Sequence, residues 1–510
     1  MMIYNDDLWG RYVKKVEEKF KIKKYPHFDP YFNFPKEKER LHKIVGDPTG
    51  RAVAAQPFLP LVKILVKTPR YRYQEEDGSY SLETKIRPIS FASHFDGYIY
   101  GFYSFGLNEI YQKYIKDHGF DKSVLAYRSD LNGKCNIQFA KEVFDEIKLR
   151  GECTAIALDI KGYFDSIDHN LLKEMWCKVL GIKSLPIDHY KIFRSLTNYS
   201  YVNKSSLLKH FKINLEKKRR KKEYWQTLLD LIPEDLGGSS FREKFDLVRK
   251  ARLIVTNKPK KNKDGTFTQK GIPQGSPLSA LLSNIYLIDF DDQLYKYGLK
   301  EGFEYRRYCD DIMIICPKEK ANGIIEELTH ELTDKYKLTI QSKKTEVIDF
   351  VSNETGLIRA YTREFDTTSQ AFVLHSISPN NYRNLQYLGF EFNGKNIYVR
   401  PGSLSRYFRK MKGRIVRSVI MAYSSTSKSN IINKQQIFHR YSHLGKRNFL
   451  SYAYNASKKY YTNSKGSVKE GLDSPSIRRQ LSAHFRIINQ EIFKTSKQRA
   501  KRLGLKSVKV

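Results

Sequence analysis

Apolar side chains recur at two different spacings along the chain. Where they fall at every third or fourth position a helix is predicted, and where they alternate or form a short unbroken run a strand is predicted. Helices are expected at residues 6–24, 100–115, 137–149, 171–180, 280–295 and 321–336, and again from Ser476 onward. Strands are expected at residues 61–73, 80–89, 153–158, 303–307 and 312–316, and a further hairpin opens at Tyr387.

Three glycine-containing dipeptides mark hairpin turns between these segments. Asp77-Gly78, Asp264-Gly265 and Asn393-Gly394 suit the positive φ angles of a tight turn. The N-terminal helix is apolar along one side, and we interpret it as a packing element without a function of its own.

The length and charge of the chain limit the classes of protein to which it can belong. A chain of 510 residues is too long for one compact core and predicts about two to four domains. Lys and Arg number 91 against 55 Asp and Glu, a formal charge of +36 that is costly unless a polyanion neutralises it. Nucleic acid is therefore the expected partner, and an anionic membrane surface is the alternative. A run of six cations at residues 217–222 is expected to be solvated or bound to phosphate.

Other classes are disfavoured by what the sequence lacks. No apolar run is long enough to span a bilayer and no apolar signal core is found near the N-terminus, so a soluble, cytoplasmic protein is expected. The five cysteines never form a CxxC pair, which argues against a zinc site and against a disulfide framework.

The candidate chemistry centres on acidic residues at strand ends. Asp310 and Asp311 lie at the tip of an apolar hairpin, where two adjacent carboxylates repel each other unless a cation lies between them. Considered alone, they are interpreted as ordinary turn residues in water, and it is the residues upstream that favour a cation site. Asp159 closes the buried strand at 153–158, and it converges with the pair if the strands are neighbours in one sheet. Three such carboxylates can hold two Mg²⁺ ions, which favours nucleotidyl transfer.

Two further features suit a nucleotide. Lys85 and Arg87 alternate on one face of a predicted strand, which is typical of a solvated edge but would also suit a triphosphate. The stretch Gly271-Ile-Pro-Gln-Gly-Ser-Pro-Leu-Ser279 predicts a loop whose backbone can approach a ligand closely. The helix that follows directs its first-turn amides at the same space.

Taken in order, LDIKGYFDSIDH, GIPQGSPLS, YCDD, SKKTE and YLGF resemble the palm of reverse transcriptases, especially those of group II introns, retrons and bacterial defence systems. The resemblance covers roughly residues 60–400. It implies an α+β right-hand polymerase with fingers, a palm built on an antiparallel sheet, a helical thumb and a basic α-helical C-terminal region. The implied domains are an N-terminal helical extension at 1–58, fingers at 59–150, a palm at 151–398 with a basic insertion at about 200–265, and the thumb and C-terminal region at 399–510.

The same resemblance implies a role for each matching residue. Asp159, Asp310 and Asp311, with Ile160, would bind two Mg²⁺ ions, and Lys344 could protonate the departing pyrophosphate. Lys85 and Arg87 would contact the triphosphate, and Phe164 would contact the sugar, where it crowds a 2′-hydroxyl. Gln274 and Gly275 would line the nascent base pair. The primer would be held by Tyr387, Leu388, Gly389 and Phe390. Without its position relative to Asp159, Phe164 would be interpreted equally well as a core aromatic.

The sequence also departs from these families. Cys309 stands where intron and retron relatives commonly have Ala, and the gap between Asp159 and Pro273 is longer than usual. Because no HNH nuclease, zinc motif or ribonuclease H module follows the palm, the layout is most similar to stand-alone reverse transcriptases of antiphage defence. Such an enzyme would copy a dedicated non-coding RNA template into a DNA product from dNTPs. The alternatives are an intron- or retron-type enzyme with a mobility or satellite-DNA role and an RNA-binding maturase or scaffold with an inactive polymerase, and a homo-oligomer is left open.

Overall fold

The computed structural model describes residues 5–74, 78–215, 226–233, 236, 240–261, 265, 267–341, 344–353, 355–424, 431–464 and 466–505. Its helices are α1 (Asp6–Glu17), α2 (Phe34–Val45), α3 (Arg51–Ala55), α4 (His94–Asp117), α5 (Asn136–Arg150), α6 (Tyr163–Ser166), α7 (His169–Leu180), α8 (Ile187–Thr197), α9 (Lys204–His210), α10 (Phe241–Lys250), α11 (Ser279–Tyr286), α12 (Ile288–Glu301), α13 (Ala321–Asp334), α14 (Pro401–Ala422), α15 (Lys434–Tyr441), α16 (Phe449–Ser457), α17 (Pro475–Leu481) and α18 (His484–Leu503). Its strands are β1 (Leu61–Gln74), β2 (Ser79–Phe91), β3 (Cys153–Asp159), β4 (Ser200–Asn203), β5 (Ile254–Thr256), β6 (Lys260–Lys261), β7 (Phe267–Thr268), β8 (Glu304–Tyr308), β9 (Asp311–Cys316), β10 (Glu346–Ser352), β11 (Ile358–Thr362), β12 (Glu364–Asp366), β13 (Ala371–Val373), β14 (Leu385–Tyr387), β15 (Phe390–Phe392), β16 (Ile397–Val399), β17 (Tyr460–Thr462) and β18 (Val468–Glu470). The predicted α+β class is therefore confirmed.

A five-stranded sheet lies at the centre, with the strand order β11–β10–β3–β9–β8 and antiparallel pairing throughout. The strands predicted at 153–158, 303–307 and 312–316 are β3, β8 and β9. Residues of β3 and β9 contribute to hydrophobic cores on both faces of the sheet. A strand that is covered on both faces reads as an unbroken apolar run, which explains why β3 shows no alternation in the sequence.

Each face of the central sheet has its own core. Ile312 and Ile314 of β9 pack into a core that includes residues from α1, α2, α4, α7, α8, α11, α12 and α13. Met313 and Ile315 of the same strand pack into a second core with α5 and with the C-terminal helices α14 to α18. Because both faces are covered, the strand ends of this sheet are held on a rigid support.

Strands β1 and β2 form the long antiparallel hairpin that the sequence predicts. Gly78 has a φ of 64°, as its turn requires, and Asp77 lies outside the described residues. β1 also pairs in parallel with β4, and β4 pairs with β5, so part of the predicted basic insertion extends this sheet in the order β2–β1–β4–β5. β6 and β7 pair on either side of the predicted Asp264-Gly265 turn. Asp264 lies outside the described residues, and so does the predicted run of cations at residues 217–222.

The helix predicted at 280–295 is broken into α11 and α12. They separate at Leu287, whose φ of −104° and ψ of 21° leave helical geometry. Residues 281–288 are all buried. The break therefore lies in a segment that packs on every side, where the periodic pattern of a helix with one buried face does not apply.

The helix predicted from Ser476 is also broken, into α17 and α18. The Ser482 hydroxyl donates to the Arg479 carbonyl at 2.9 Å, and the His484 ring nitrogen Nδ1 lies 2.7 Å from the Leu481 carbonyl. These side chains replace helical hydrogen bonds at the break.

The first helix ends at Glu17, earlier than predicted. Four lysines follow among residues 19–24, and like charges on successive turns of a helix repel each other. The division into four domains stays a prediction. Among the described residues, every helix is too short or too polar to cross a bilayer.

Candidate active site

The pairing of β3 with β9 brings the predicted acidic residues to one end of the central sheet. Asp159, the last residue of β3, is directly opposite Asp311, the first residue of β9. Beyond this pair, the Ile160 amide donates to the Asp310 carbonyl at 3.1 Å. Asp159, Asp310 and Asp311 therefore lie side by side at the point where the strands end.

A two-residue turn presents Asp310. Tyr308 and Asp311 are paired, so Cys309 and Asp310 form the tip of the hairpin. Cys309 has a φ of 61°, in the left-handed region that glycine usually occupies in such turns. Its buried thiol lies beside the side chain of Tyr127, a residue that also has a φ of 61°. Two left-handed residues in contact indicate a backbone geometry that the surrounding packing imposes.

A buried ion pair supports this turn. Arg307 of β8 and Asp291 of α12 are both fully buried, with Arg307 Nε 2.7 Å from Asp291 Oδ1 and Nη2 2.5 Å from Asp291 Oδ2. Arg307 Nη1 also donates to the Cys309 carbonyl at 3.1 Å, and the Tyr305 hydroxyl donates to Asp291 at 2.6 Å. The pair ties the turn to α12. Sequence reasoning missed it, although the alternation of β8 sets Arg307 on the same buried face as Tyr305.

Asp310 and Asp311 both have raised pKa values. The protein atoms crowded around Asp311, and then the charges of Asp310 and Asp159, raise the pKa of Asp311 to about 7. Burial and the charge of Asp159 also raise the pKa of Asp310. Lys344 Nζ lies 2.6 Å from Asp159 Oδ1 and offsets part of this repulsion. The carboxylates therefore carry more negative charge than their own cations neutralise, which favours an added cation.

The donors of this site suit a hard divalent cation, because all of them are oxygen atoms. Among the described residues, no group of three or more His, Cys, Asp or Glu side chains surrounds a common point. At this site, Asp159 Oδ1 accepts a hydrogen bond from Lys344 Nζ. The carboxylates therefore fit a divalent cation in chemistry and in charge, and a cation that bound this Asp159 oxygen would replace Lys344.

Backbone hydrogen bonds join the segments that carry the predicted sugar and base-pair residues. The Ile272 amide donates to the Phe164 carbonyl at 2.9 Å, and the Ser90 amide donates to the Gln274 carbonyl at 2.8 Å. Phe164 is half-buried. Gly275 has a φ of 118°, and a Cβ at this position would lie 2.8 Å from the Ser90 carbonyl oxygen, so glycine is required. Phe164, Gln274 and Gly275 thus lie on adjoining segments beside the end of β2.

The two predicted triphosphate residues share one face of β2. Lys85 and Arg87 are opposite Thr68 and Val66 of β1. Lys85 is exposed and Arg87 is half-buried. Because Arg87 precedes Ser90 on the same strand, this basic face leads toward the loop that contains Gln274.

The segment 387–390 forms a tight turn between β14 and β15, and β16 completes a three-stranded sheet. The predicted hairpin at Asn393-Gly394 is the connection from β15 to β16. Leu388 and Gly389 both have positive φ angles, of 44° and 95°. Tyr387 and Phe390 are buried, and burial together with the charge of Asp311 raises the pKa of Tyr387. This turn is therefore within electrostatic range of the acidic residues.

Comparison with protein families gives one match. The family model described as reverse transcriptase (RNA-dependent DNA polymerase) matches residues 106–392, which is more than half of the chain. No curated protein matches the chain.

Among solved structures, similar chains include telomerases of two yeasts. Apo telomerase from Candida tropicalis truncated from its C-terminal domain is 12% identical over 72% of this chain and 61% of its own, with a TM-score of 0.35. Telomerase from Candida albicans with a fragment of telomeric RNA is 12% identical over 95% of this chain and 72% of its own, with a TM-score of 0.35. The chain thus spans about three fifths of the length of the first of these proteins.

Proposed function

Because the chain belongs to the reverse transcriptase (RNA-dependent DNA polymerase) family, we propose that it is an RNA-directed DNA polymerase that extends a 3′-hydroxyl with dNTPs along an RNA template. The observation that carries this proposal is the register of β3 and β9, in which Asp159 is opposite Asp311 and next to Asp310. Adjacent carboxylates at a strand end are the donor set that nucleotidyl transfer with divalent cations needs.

Asp159, Asp310 and Asp311 would hold two Mg²⁺ ions, together with the backbone carbonyl of Ile160. When bound, the ions supply activation of the attacking hydroxyl and stabilisation of the charge on the leaving pyrophosphate. Burial and neighbouring carboxylates raise the pKa of Asp310 and of Asp311, which supports this assignment because a bound cation would stabilise both ionised groups.

The charged side chains around the acids would act on the phosphates. Lys85 and Arg87 would neutralise and orient the triphosphate, and their common face on β2 supports this role. Lys344 would donate a proton from its ammonium to the departing pyrophosphate. Its contact with Asp159 supports a position beside the reacting atoms.

The remaining residues would orient the sugar, base and primer. Phe164 would exclude a 2′-hydroxyl from the sugar pocket, and Gln274 and Gly275 would line the nascent base pair. The close approach of Gly275 to Ser90 supports a contact surface made of backbone. The turn formed by Tyr387, Leu388, Gly389 and Phe390 would hold the primer end.

The finer proposal is that the template is a dedicated non-coding RNA and that the DNA product acts in bacterial antiphage defence. The order of the motifs and the basic C-terminal region support it. A group II intron or retron-type role and an inactive maturase or scaffold are the alternatives. Sequencing the RNA that copurifies with the protein, and the DNA made from it, separates these roles.

The polymerase assignment is tested by replacing Asp310 and Asp311 together with Asn. The double variant keeps the size of both side chains and removes both charges, and dNTP incorporation on a primed RNA is expected to fall by about a thousandfold or more. Asp334→Asn, at an exposed position on α13, is the matched control and should keep full activity. Unchanged incorporation in the double variant would show that the assignment is wrong.

A further inference from the structure

A cavity of about 550 Å³ lies between the N-terminal segment and the rest of the protein. Residues from α1 and the segment that follows it form one wall, and α4 forms another. The start of α11 and residues 127–129 complete the lining. A volume of this size is typical of sites that hold small organic ligands.

The charges that line this cavity are all positive. The lining includes Lys15, Lys19, Lys21, Lys23 and Arg128, and it includes no Asp or Glu. Arg128 is paired with Asp130. None of the four lysines lies within 4.0 Å of a carboxylate in the part of the chain that the structure describes. The cavity therefore has a surplus of positive charge, which favours an anionic ligand.

Aromatic rings lie beside these lysines. Lys15 Nζ is 4.5 Å from the centre of the Phe105 ring, and Lys23 Nζ is 4.8 Å from the centre of the Tyr98 ring. Partial burial lowers the pKa of both lysines, and the charge of Lys19 lowers that of Lys15 further, although Glu109 offsets part of the effect. Aromatic rings next to cations form the kind of surface on which bases of a single strand stack while its phosphates bind the cations.

The cavity adjoins the candidate active site. Tyr127 forms part of the cavity wall, and its side chain lies beside the thiol of Cys309, next to Asp310. Pro277 and Leu281, from the end of the Gly-Pro-rich loop and the start of α11, line the cavity as well. A strand held here would thus lie on the far side of the turn that carries the acidic residues.

We propose that this cavity binds an unpaired nucleotide of a nucleic-acid strand, with its phosphates on the lysines of the 15–23 segment and its base against the partly exposed rings of Phe105 and Tyr127. The inference rests on the proposed function in taking nucleic acid as the partner, and it adds a strand contact remote from the thumb and the C-terminal region. It also gives the N-terminal segment a role, whereas the sequence predicts packing alone.

The test compares two sets of four Lys→Gln substitutions. The cavity set is Lys15, Lys19, Lys21 and Lys23, all exposed enough to change without loss of fold, and the matched control set is Lys209, Lys250, Lys300 and Lys395, which are exposed elsewhere. Both sets are made in a background with Asp310 and Asp311 replaced by Asn. Binding of a labelled single-stranded RNA is then measured over a series of salt concentrations.

The cavity set is expected to weaken binding by about tenfold or more and to reduce the slope of log affinity against log salt by about 3, because single-strand contacts contribute about 0.7 each. The control set should change both quantities less. Equal changes in the two sets would overturn the inference, and so would an equal loss on fully double-stranded RNA. Because binding is measured without catalysis, this result is independent of whether the polymerase assignment is right.

Discussion

Lys344 Nζ lies 2.6 Å from Asp159 Oδ1, and the two side chains are 35% and 22% exposed. The ammonium thus neutralises a carboxylate that is proposed to bind a metal ion. A divalent cation has to compete with Lys344 for this oxygen. The same lysine is proposed to protonate pyrophosphate, so its two roles depend on different positions of one side chain.

Replacing Lys344 with Met is expected to tighten the binding of a divalent cation while it lowers dNTP incorporation. A partly exposed ion pair is worth up to about 1 kcal/mol, which corresponds to about a two- to fivefold gain in affinity. Binding of Mn²⁺ in the absence of nucleotide, followed by electron paramagnetic resonance, measures this change.

Lys337→Met provides the control for the Lys344 variant. Lys337 forms a similar ion pair with Asp168, at 3.1 Å, away from the acidic end of the central sheet. Loss of the Lys337–Asp168 ion pair should leave the affinity for Mn²⁺ unchanged. Equal or weaker Mn²⁺ binding in the Lys344 variant would contradict the competition.

Phe164→Ala is expected to raise the use of ribonucleotides relative to deoxyribonucleotides by about tenfold or more. The half-buried ring is proposed to occupy the space that a 2′-hydroxyl needs, and a methyl group leaves that space open. Single-nucleotide incorporation with each substrate measures the ratio, and the rate with dNTP shows whether the site is intact. An unchanged ratio of ribonucleotide to deoxyribonucleotide use would show that Phe164 does not select the sugar.

Gly275→Ala is expected to disrupt the contact between the loop and β2. The new Cβ would meet the Ser90 carbonyl oxygen at 2.8 Å, and the φ of 118° is unfavourable for alanine. We expect a loss of about 1–3 kcal/mol in stability and a rise in the KM for dNTP. Gly402→Ala is the control, because nothing lies within 4 Å of its Cβ position on α14. Similar melting temperatures and KM values for the two variants would argue against the contact.

Much of the central sheet was predictable, because its signals are local. The apolar run ending at Asp159 and the hairpin around Asp310 and Asp311 each appear within a few residues of sequence. Their pairing needed one further assumption, that the two strands are neighbours, and β3 and β9 are adjacent. The tight turn at Gly78 was predictable for the same reason.

What sequence reasoning missed depends on contacts between distant segments. Arg307 and Asp291 form a pair only because β8 packs against α12, and although the alternation of β8 indicates that Arg307 is buried, no local pattern identifies Asp291 as its partner. The break at Leu287 results from burial on all sides, which periodicity does not report. Likewise the contact of Lys344 with Asp159 joins residues on either side of β9 in sequence.

Asp96 is expected to make stability depend on pH. Burial raises the pKa of Asp96 to about 6, and the charge of Asp29 contributes, although the Leu59 amide and the Gln56 side chain donate hydrogen bonds to its carboxylate. The folded state therefore binds a proton at a higher pH than the unfolded state, so this group stabilises the protein as pH falls from about 7 to about 4. The full difference is about 3 kcal/mol, at about 1.4 kcal/mol per pKa unit.

Asp96→Asn removes the titration and keeps the shape of the side chain. The free energy of unfolding of the wild type, minus that of the variant, should rise by up to about 3 kcal/mol as the pH is lowered from about 7 to about 4. Chemical denaturation at several pH values measures both. Parallel pH profiles for the two proteins would contradict a raised pKa for Asp96.

The pair of Arg307 and Asp291 is expected to position the catalytic turn, and two variants separate this role from stability. Arg307→Met alone leaves a buried, unpaired carboxylate and should cost about 3–5 kcal/mol. The double variant Arg307→Met with Asp291→Leu removes both charges, so it should recover most of that stability. It still lacks the donor to the Cys309 carbonyl, so dNTP incorporation should stay low, with a fall in kcat larger than any change in KM.

A second, largely buried ion pair beside the same sheet is the matched control for this double variant. Arg363 and Asp349 lie 2.8 Å apart, and Asp349 is opposite Thr154, near the end of β3 that is remote from Asp159. Arg363→Met with Asp349→Leu should therefore leave kcat close to that of the wild type in a protein of similar stability. If both double variants fold and have equal kcat, the turn does not depend on Arg307. We expect kcat to fall only in the first double variant. Arg307→Lys should keep part of the wild-type kcat, because lysine keeps the charge but cannot bridge Asp291 and Cys309 together.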